Sequence, residues 1–302
     1  MERWEVIDAV QKMQDYIKEH FDDNINMEDL ARNSGYSKRH AIRLFKNILG
    51  KSPAEYIRAL RLTDSAKNLI FGQKQIIEIA FDSQFETHEG FTRAFSHEFG
   101  ITPKRYKTEK PPVKYFVAYP IKHYYTYLIN KENGYMDEAK SAILCTVTIV
   151  NKPKRKLIIM RSKKALDYFT FCEEKGCDWE GLFNSIECRL DNAAIVDLPD
   201  KLVTTGTTKC GAGVEVPFDY SGIIPDDCDC IELEENYVMI FHSEPFENED
   251  DYGIVISTVF KAVENYNPTQ YGYEFALASA PKYNYGAYCK MGAKVEVPVT
   301  KI

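Results

Sequence analysis

Across residues 38–49 the apolar positions Ala41, Leu44, Phe45 and Ile48 recur at three- and four-residue intervals, which gathers them on one face of a helix. Lys38, Arg39, Ile42, Arg43 and Lys46 are left mainly on other faces. Just upstream, Met27-Glu28-Asp29-Leu30-Ala31 predicts a shorter helix that stops at Gly35, where a turn needs positive φ. Ser37 is then placed to cap the second helix, which runs to about Leu49. The pattern returns further on, with Thr87 as the cap and Phe91, Ala94, Phe95 and Phe99 as the buried stripe. His88, Glu89, Thr92 and Arg93 then point outward. Between the two, Pro53 to about Phe71 reads as one long helix with proline near its first turn, roughly 25–30 Å in length. From about Ala142 the pattern changes to β-branched runs of strand character, with helices expected near Ala165–Leu190 and Asp250–Tyr266.

The two helical pairs are copies of one pattern. LARNSGYSKRHAIRLFKNILGKSPAEY (30–56) aligns with IAFDSQFETHEGFTRAFSHEFGITPKRY (79–106). Leu30, Ala31, Ser34 and Tyr36 meet Ile79, Ala80, Ser83 and Phe85 at an offset of 49. One extra residue enters the turn, and Arg43, Phe45, Gly50, Pro53 and Tyr56 then meet Arg93, Phe95, Gly100, Pro103 and Tyr106 at an offset of 50. Each copy is a helix, a tight turn and a helix, the arrangement that lays its second helix in a DNA major groove. Arg43 and Arg93 are candidates for guanine, because a guanidinium can bond O6 and N7 together. A rigid spacer close to one duplex turn in length suits two such helices in successive grooves of one DNA molecule.

Charge sharpens this picture. The whole chain is acidic, with net charge -7, yet residues 1–110 carry 18 basic and 17 acidic side chains while residues 111–302 carry 20 and 28. Arg32 to Arg61 hold eight basic residues against Glu55 alone. An anionic partner is expected at that end, and a different one at the other. The first twenty residues intersperse Glu2, Arg3, Glu5, Asp8 and Lys12 with apolar positions, unlike a signal peptide, and no apolar run is long enough to cross a bilayer; a cytoplasmic protein with no membrane partner is expected. All eight cysteines lie beyond residue 140, and the spacings Cys172/Cys177 and Cys228/Cys230 do not match repeated zinc-binding pairs. They read as buried or idle thiols rather than a metal site or redox sensor, and neither a metal nor a cofactor is expected.

Residues 5–108 resemble the DNA-binding domain of AraC-family transcription regulators, most specifically through FTRAF…FGITPKRY. The resemblance implies base-reading positions at Arg39, Ile42 and Arg43 in the first copy, and at His88, Glu89, Thr92 and Arg93 in the second. Lys38, Lys46, Lys51, Lys104 and Arg105 complete the expected double-stranded DNA surface, and RNA polymerase is an expected protein partner. Some family members have glutamine where Ile42 and Glu89 stand; Ile42 offers apolar contact alone, for instance to a thymine methyl, and Glu89 favours a cytosine amino group.

In the second half, GAGVEVP (211–217) matches GAKVEVP (292–298) at an offset of 81, and LIIMRS (157–162) meets VMIFHS (238–243) at the same offset. Element order, this duplication and the terminal VEVPV resemble the GyrI-like effector-binding module of multidrug-sensing regulators. The chain is therefore expected to be multidomain. An all-α double helix-turn-helix domain (1–108, with units at about 27–50 and 76–100) is followed by a linker (109–141) and a duplicated α+β GyrI-like (SHS2-type) domain (142–302), a Rob-like architecture. The resemblance implies a glutamate at the centre of an effector pocket, which falls on Glu274 and has Ala193 as its counterpart in the first half. Trp179, Tyr168, Tyr220 and Tyr288 are candidate aromatic walls for a small hydrophobic effector, lipophilic cations among them. Ala276 and Ala262-Val263 stand where the family often has aromatics, so the effector itself is not inherited. Two alternatives remain for this half: hydrolysis of reactive electrophiles by acidic and tyrosine residues, and binding of another protein. No nucleophile–base–orienter set is visible, so the chain is not expected to be an enzyme and no catalytic residue is assigned.

Overall fold

The computed structural model of the protein describes residues 3–122, 125 and 145–302. The aromatic run at 123–128, apart from Tyr125, and the expected domain start at 142 lie outside the described residues. The chain divides into a helical unit (3–111, with 116–122 and Tyr125) and a sheet unit (112–115 and 145–302).

In the helical unit, α1 (Arg3–Glu19), α2 (Met27–Ser34) and α3 (Lys38–Leu49) bury Ile7, Val10, Met13, Ile17, Leu30, Ala31, Ala41 and Phe45 together. The long α4 (Pro53–Phe71) packs against α3 and also against α5 (Ile76–Asp82), α6 (His88–Phe99) and α7 (Pro103–Glu109). At 19 residues its length is about 28 Å. Ser52 and Glu55 close a capping box at its start, and Pro53 sits where a missing N–H costs nothing. Equivalent aromatic pairs lock both copies: Phe45 meets Tyr56 edge-on at 5.2 Å between centroids, and Phe95 meets Tyr106 at 5.6 Å.

The turns differ between the copies. Gly35 stops α2 at φ 74°, whereas Gln84 takes the left-handed position in the second copy at φ 62°. Gln84 also reaches back to donate to the Asp22 carbonyl at 3.3 Å. Thr87 caps α6 by accepting from Gly90 N–H, but Ser37 occupies the cap position of α3 without a side-chain bond, correcting the expected cap there.

The sheet unit holds β1 (Cys145–Lys152), β2 (Arg155–Arg161), α8 (Tyr168–Lys175), α9 (Trp179–Asn184), β3 (Ala194–Asp197), β4 (Cys210–Pro217), β5 (Asp229–Leu233), β6 (Asn236–Ser243), α10 (Tyr252–Asn265), β7 (Tyr273–Phe275), β8 (Lys282–Tyr288) and β9 (Gly292–Lys301). The strands lie in one antiparallel sheet of order β1-β6-β9-β8-β3-β4-β2-β5, with β7 added beside β9. The order is symmetric about the β3–β8 boundary, and the outermost strands are exchanged: β1 leads into β2 yet pairs with β6, while β5 leads into β6 yet pairs with β2. Only two residues join Lys152 to Arg155, a span of roughly 10 Å at most, so the sheet must curl to bring β1 and β2 together. Lys152 accordingly bonds Glu215 on β4 at 2.8 Å and Glu296 on β9 at 2.5 Å, inside the curl. The opposite face of β4 packs on Phe171, Trp179 and Phe183, and that of β9 packs on Val255, Val259 and Val263.

Two expectations need correction. The helix foreseen at 165–190 is broken into α8 and α9 at Gly176. The expected linker is not free chain: Val113 and Tyr115 are buried, and Val113 N–H donates to Ser185 Oγ at 2.9 Å. A Cβ at Gly181 would lie 1.9 Å from the Tyr115 carbonyl oxygen, so only glycine permits that approach. Residues 116–122 pack in the helical unit, where Phe116 N–H donates to Thr63 Oγ1 at 2.8 Å and Ile121 N–H to Gln14 Oε1 at 3.0 Å.

Candidate functional site

Helix α3 turns Ala41 and Phe45 into the core and leaves Arg39, Arg43 and Lys46 exposed, with Ile42 half-buried beside them. Helix α6 repeats the geometry: Phe91 and Phe95 are fully buried, Glu89 and Arg93 are exposed, and His88 and Thr92 are half-buried. Neither arginine is locked inside the fold. Sequence reasoning overlooked His40: its ring stacks on Tyr36 at 4.9 Å, and its Nδ1 lies 3.3 Å from Arg43 Nη2. That contact holds the guanidinium without neutralising it. The aromatic three residues before Arg43 was the signal available.

The other expected phosphate contacts are not equally free. Lys38 pairs with Glu28 at 2.6 Å, and Arg105 forks onto Glu109 with both bonds at 2.9 Å. Lys51 lies over the Phe116 ring at 5.7 Å from its centroid. Lys46 and Lys104 are exposed. Exposed pairs of this kind hold together only weakly, so an incoming phosphate can replace the carboxylate.

Residues 30–109 match a family described as a helix-turn-helix domain. The chain is 40% identical over 95 residues to the Transposon Tn10 TetD protein of Escherichia coli, covering 32% of this chain and 69% of that protein. The chain belongs to the AraC family of transcription regulators. It is also 40% identical over 100 residues to the uncharacterized HTH-type transcriptional regulator YbfP of Bacillus subtilis, and 37% identical over 92 residues to the transcriptional regulator Rob of Salmonella typhimurium. Those two matches cover 33% and 30% of this chain, and 34% and 32% of the respective relatives, so the chain spans about a third of each.

In this AraC-family chain the sheet unit places the candidate effector residues unevenly. Glu274 is exposed on the short edge strand β7, opposite Thr300. Tyr220 packs on the same core cluster as Trp179 and Tyr168, with its phenol donating to the Ile223 carbonyl at 3.2 Å. Trp179 is a core side chain, edge-on to Phe171 at 5.9 Å and to Tyr168 at 6.2 Å.

Next to Trp179 lies a buried carboxylate, Glu180, only 7% exposed, which accepts from the Tyr288 phenol at 2.8 Å. Burial, and after it the Glu180 charge, pushes the Tyr288 and Tyr252 phenols well above the usual tyrosine range. Burial likewise raises Tyr168, followed by the Cys172 charge and then Tyr252 and Glu180. Glu180, Tyr168, Tyr252 and Tyr288 thus share one neighbourhood, with side chains from α8, α9, α10 and β8. Glu180 sits one residue after the tryptophan that attracted attention; a carboxylate flanked by Trp179 and an apolar run was its only mark in the sequence.

Proposed function

We propose that the chain is a sequence-specific double-stranded DNA-binding transcription regulator that lays α3 and α6 in the major groove. The observation that carries this reading is the pair of matched helices, each burying one aromatic face and presenting an exposed arginine at equivalent positions, Arg43 and Arg93. Arg39, Ile42, His88, Glu89 and Thr92 are the accompanying base-edge positions, and Lys38, Lys46, Lys51, Lys104 and Arg105 the phosphate-facing ones. The test is fluorescence anisotropy on a duplex selected from a random pool. Arg43→Ala and Arg93→Ala each cost about 1–3 kcal/mol on the selected site and little on random DNA. Equal losses on both duplexes overturn the base-reading roles.

The same proposal extends to the sheet unit as a GyrI-like effector-binding domain built from two copies. Its support is the symmetric strand order, with VEVP at matching places in β4 and β9. The effector is a small hydrophobic molecule, lipophilic cations being the class suited to a buried carboxylate ringed by phenols and an indole. Glu180 replaces Glu274 as its charge partner. A thermal-shift series with lipophilic cations tests this: Glu180→Gln weakens binding roughly 10- to 100-fold, whereas Glu274→Gln leaves it unchanged. The reverse ranking returns the site to β7. RNA polymerase is the proposed protein partner through which occupancy is read out.

A further inference from the structure

We propose that His40 is the positioning residue for the α3 arginine, holding Arg43 ready for a base edge, so that α3 reads its part of a DNA site more stringently than α6 reads the other. The inference rests on the base-reading roles given to Arg43 and Arg93 above. His40 and Arg43 stand one turn apart on α3, and Arg43 Nη2 lies 3.3 Å from His40 Nδ1. A guanidinium can only donate, so Nδ1 accepts and the ring carries its proton on Nε2. Nε2 is buried, and among the described residues no group bonds it, so the Arg43 contact alone selects this tautomer. The ring itself is steadied by Tyr36, on which it lies at 4.9 Å between centroids and 14° between planes. Tyr36 belongs to the turn that precedes α3, so the turn fixes the acceptor and the acceptor fixes the arginine.

The second copy is built differently. Gly90 stands at the offset of 50 from His40, the same offset that relates Arg93 to Arg43, and it offers no side chain to hold Arg93. This glycine serves the cap instead. Its N–H donates to Thr87 Oγ1 at 3.0 Å, and a Cβ there would lie 2.9 Å from that oxygen. In the first copy Ser37 makes no such bond, and position 40 carries an imidazole. Helix α6 thus has a capped start and an arginine without this tether, whereas α3 has an uncapped start and a tethered arginine.

A long exposed side chain loses rotamer freedom when it docks, and one already oriented in the free protein loses less, which strengthens binding roughly 2- to 10-fold. Nη2 keeps a second hydrogen and Nη1 keeps both, so the fork can still meet guanine O6 and N7. The gain is confined to a matching base, because the phosphate contacts are made by other residues. It should therefore appear as discrimination and not as general affinity for DNA.

Fluorescence anisotropy of the full chain on the selected and random duplexes is the test. His40→Phe keeps a ring on Tyr36 and removes the acceptor; it should lower the selected-to-random affinity ratio roughly 2- to 10-fold and leave random-DNA binding unchanged. His40→Asn gives up the ring but sets Oδ1 where Nδ1 stood, so most of the ratio should return. In an Arg43→Ala background His40→Phe should change nothing further, whereas in an Arg93→Ala background it should keep its full effect. Changing the base pair that Arg43 reads should cost more than changing the one Arg93 reads, and that difference should shrink in His40→Phe protein. A ring that matters only for packing gives the opposite order, with Asn the worse variant, and overturns the proposal. Equal weakening on both duplexes, which marks a phosphate contact, overturns it too, as does an effect that persists without Arg43. If Arg43→Ala costs selected-site binding and His40→Phe does not, this inference alone falls; if Arg43→Ala costs nothing there, the base-reading role falls and takes the inference with it.

Discussion

Replacing Glu174 by glutamine isolates the group that anchors the entrance to α8. Its two carboxylate oxygens accept from Ser162 Oγ at 2.6 Å and from the backbone N–H groups of Lys163 and Lys164 at 2.9 Å, with Ala165 N–H at 3.2 Å. Burial works against the charge, but these bonds outweigh it and hold the carboxyl at about 2 instead of 4.5. The folded value is depressed, so the stabilisation is complete above the unfolded value near 4.5 and fades as pH falls toward 2. A displacement of about 2.5 units corresponds to about 3 kcal/mol at pH 7, of which about 1.4 is lost by pH 3.5. The side chain is 18% exposed, too little for solvent screening to erase this. Urea unfolding followed through Trp179 in Trp4→Phe protein is the assay. Glu174→Gln should be less stable by about 2–3 kcal/mol at pH 7, and the gap should narrow by about 1.4 at pH 3.5, since every other carboxyl titrates alike in both proteins. A gap below about 0.5 kcal/mol at pH 7, or one unchanged at pH 3.5, refutes the reasoning.

Lys152→Met leaves Glu215 to Arg155 at 2.7 Å and Glu296 to Lys294 at 3.1 Å, so the loss should fall near about 2–3 kcal/mol, below that of a wholly orphaned buried charge. Lys152 and Arg155 hold Glu215 below the usual carboxylate range against its burial, so the deficit should shrink in melts at acid pH as the carboxyls take up protons. Gly35→Ala should cost about 1 kcal/mol in thermal unfolding, while Gln84→Gly should gain up to about 1 kcal/mol, because the same left-handed turn is unstrained in one copy and strained in the other. Lys46→Ala should reduce the salt slope of DNA binding by about 0.9 on selected and random duplexes alike.

The helical unit was legible because its signals are local. A stripe at helical spacing, a stop glycine and a proline at the first turn each act within one element, and repetition at offsets of 49 and 50 excluded coincidence. What escaped there were contacts between elements, such as Gln14 on Tyr56 at 3.0 Å, or Phe116 returning to cover that same ring at 5.0 Å. The linker expected at 109–141 includes Pro111 and Pro112, and proline reports backbone constraint, not burial. In the sheet unit the VEVP pair located both long inner strands, yet packing between elements decided which carboxylate is sheltered. Glu274 falls on a three-residue strand beside the end of β9 and faces water, whereas Glu180 is carried under the phenol of Tyr288, 108 residues away.

The exchange of β1 and β5 constrains how the sheet unit can transmit anything. Each half lends its leading strand to the other, and the two-residue ties at 153–154 and 234–235 leave no slack for a hinge. Swinging one half against the other would strip two full ladders of backbone bonds, so clamshell opening is closed to this molecule. Movement is left to whatever lies on the sheet: α8, α9 and α10 can slide or rotate over a floor that stays still. The clasp also makes the halves thermodynamically inseparable, so they should melt in one transition, and a cut in the loop between β4 and β5 should leave the fragments gripping each other.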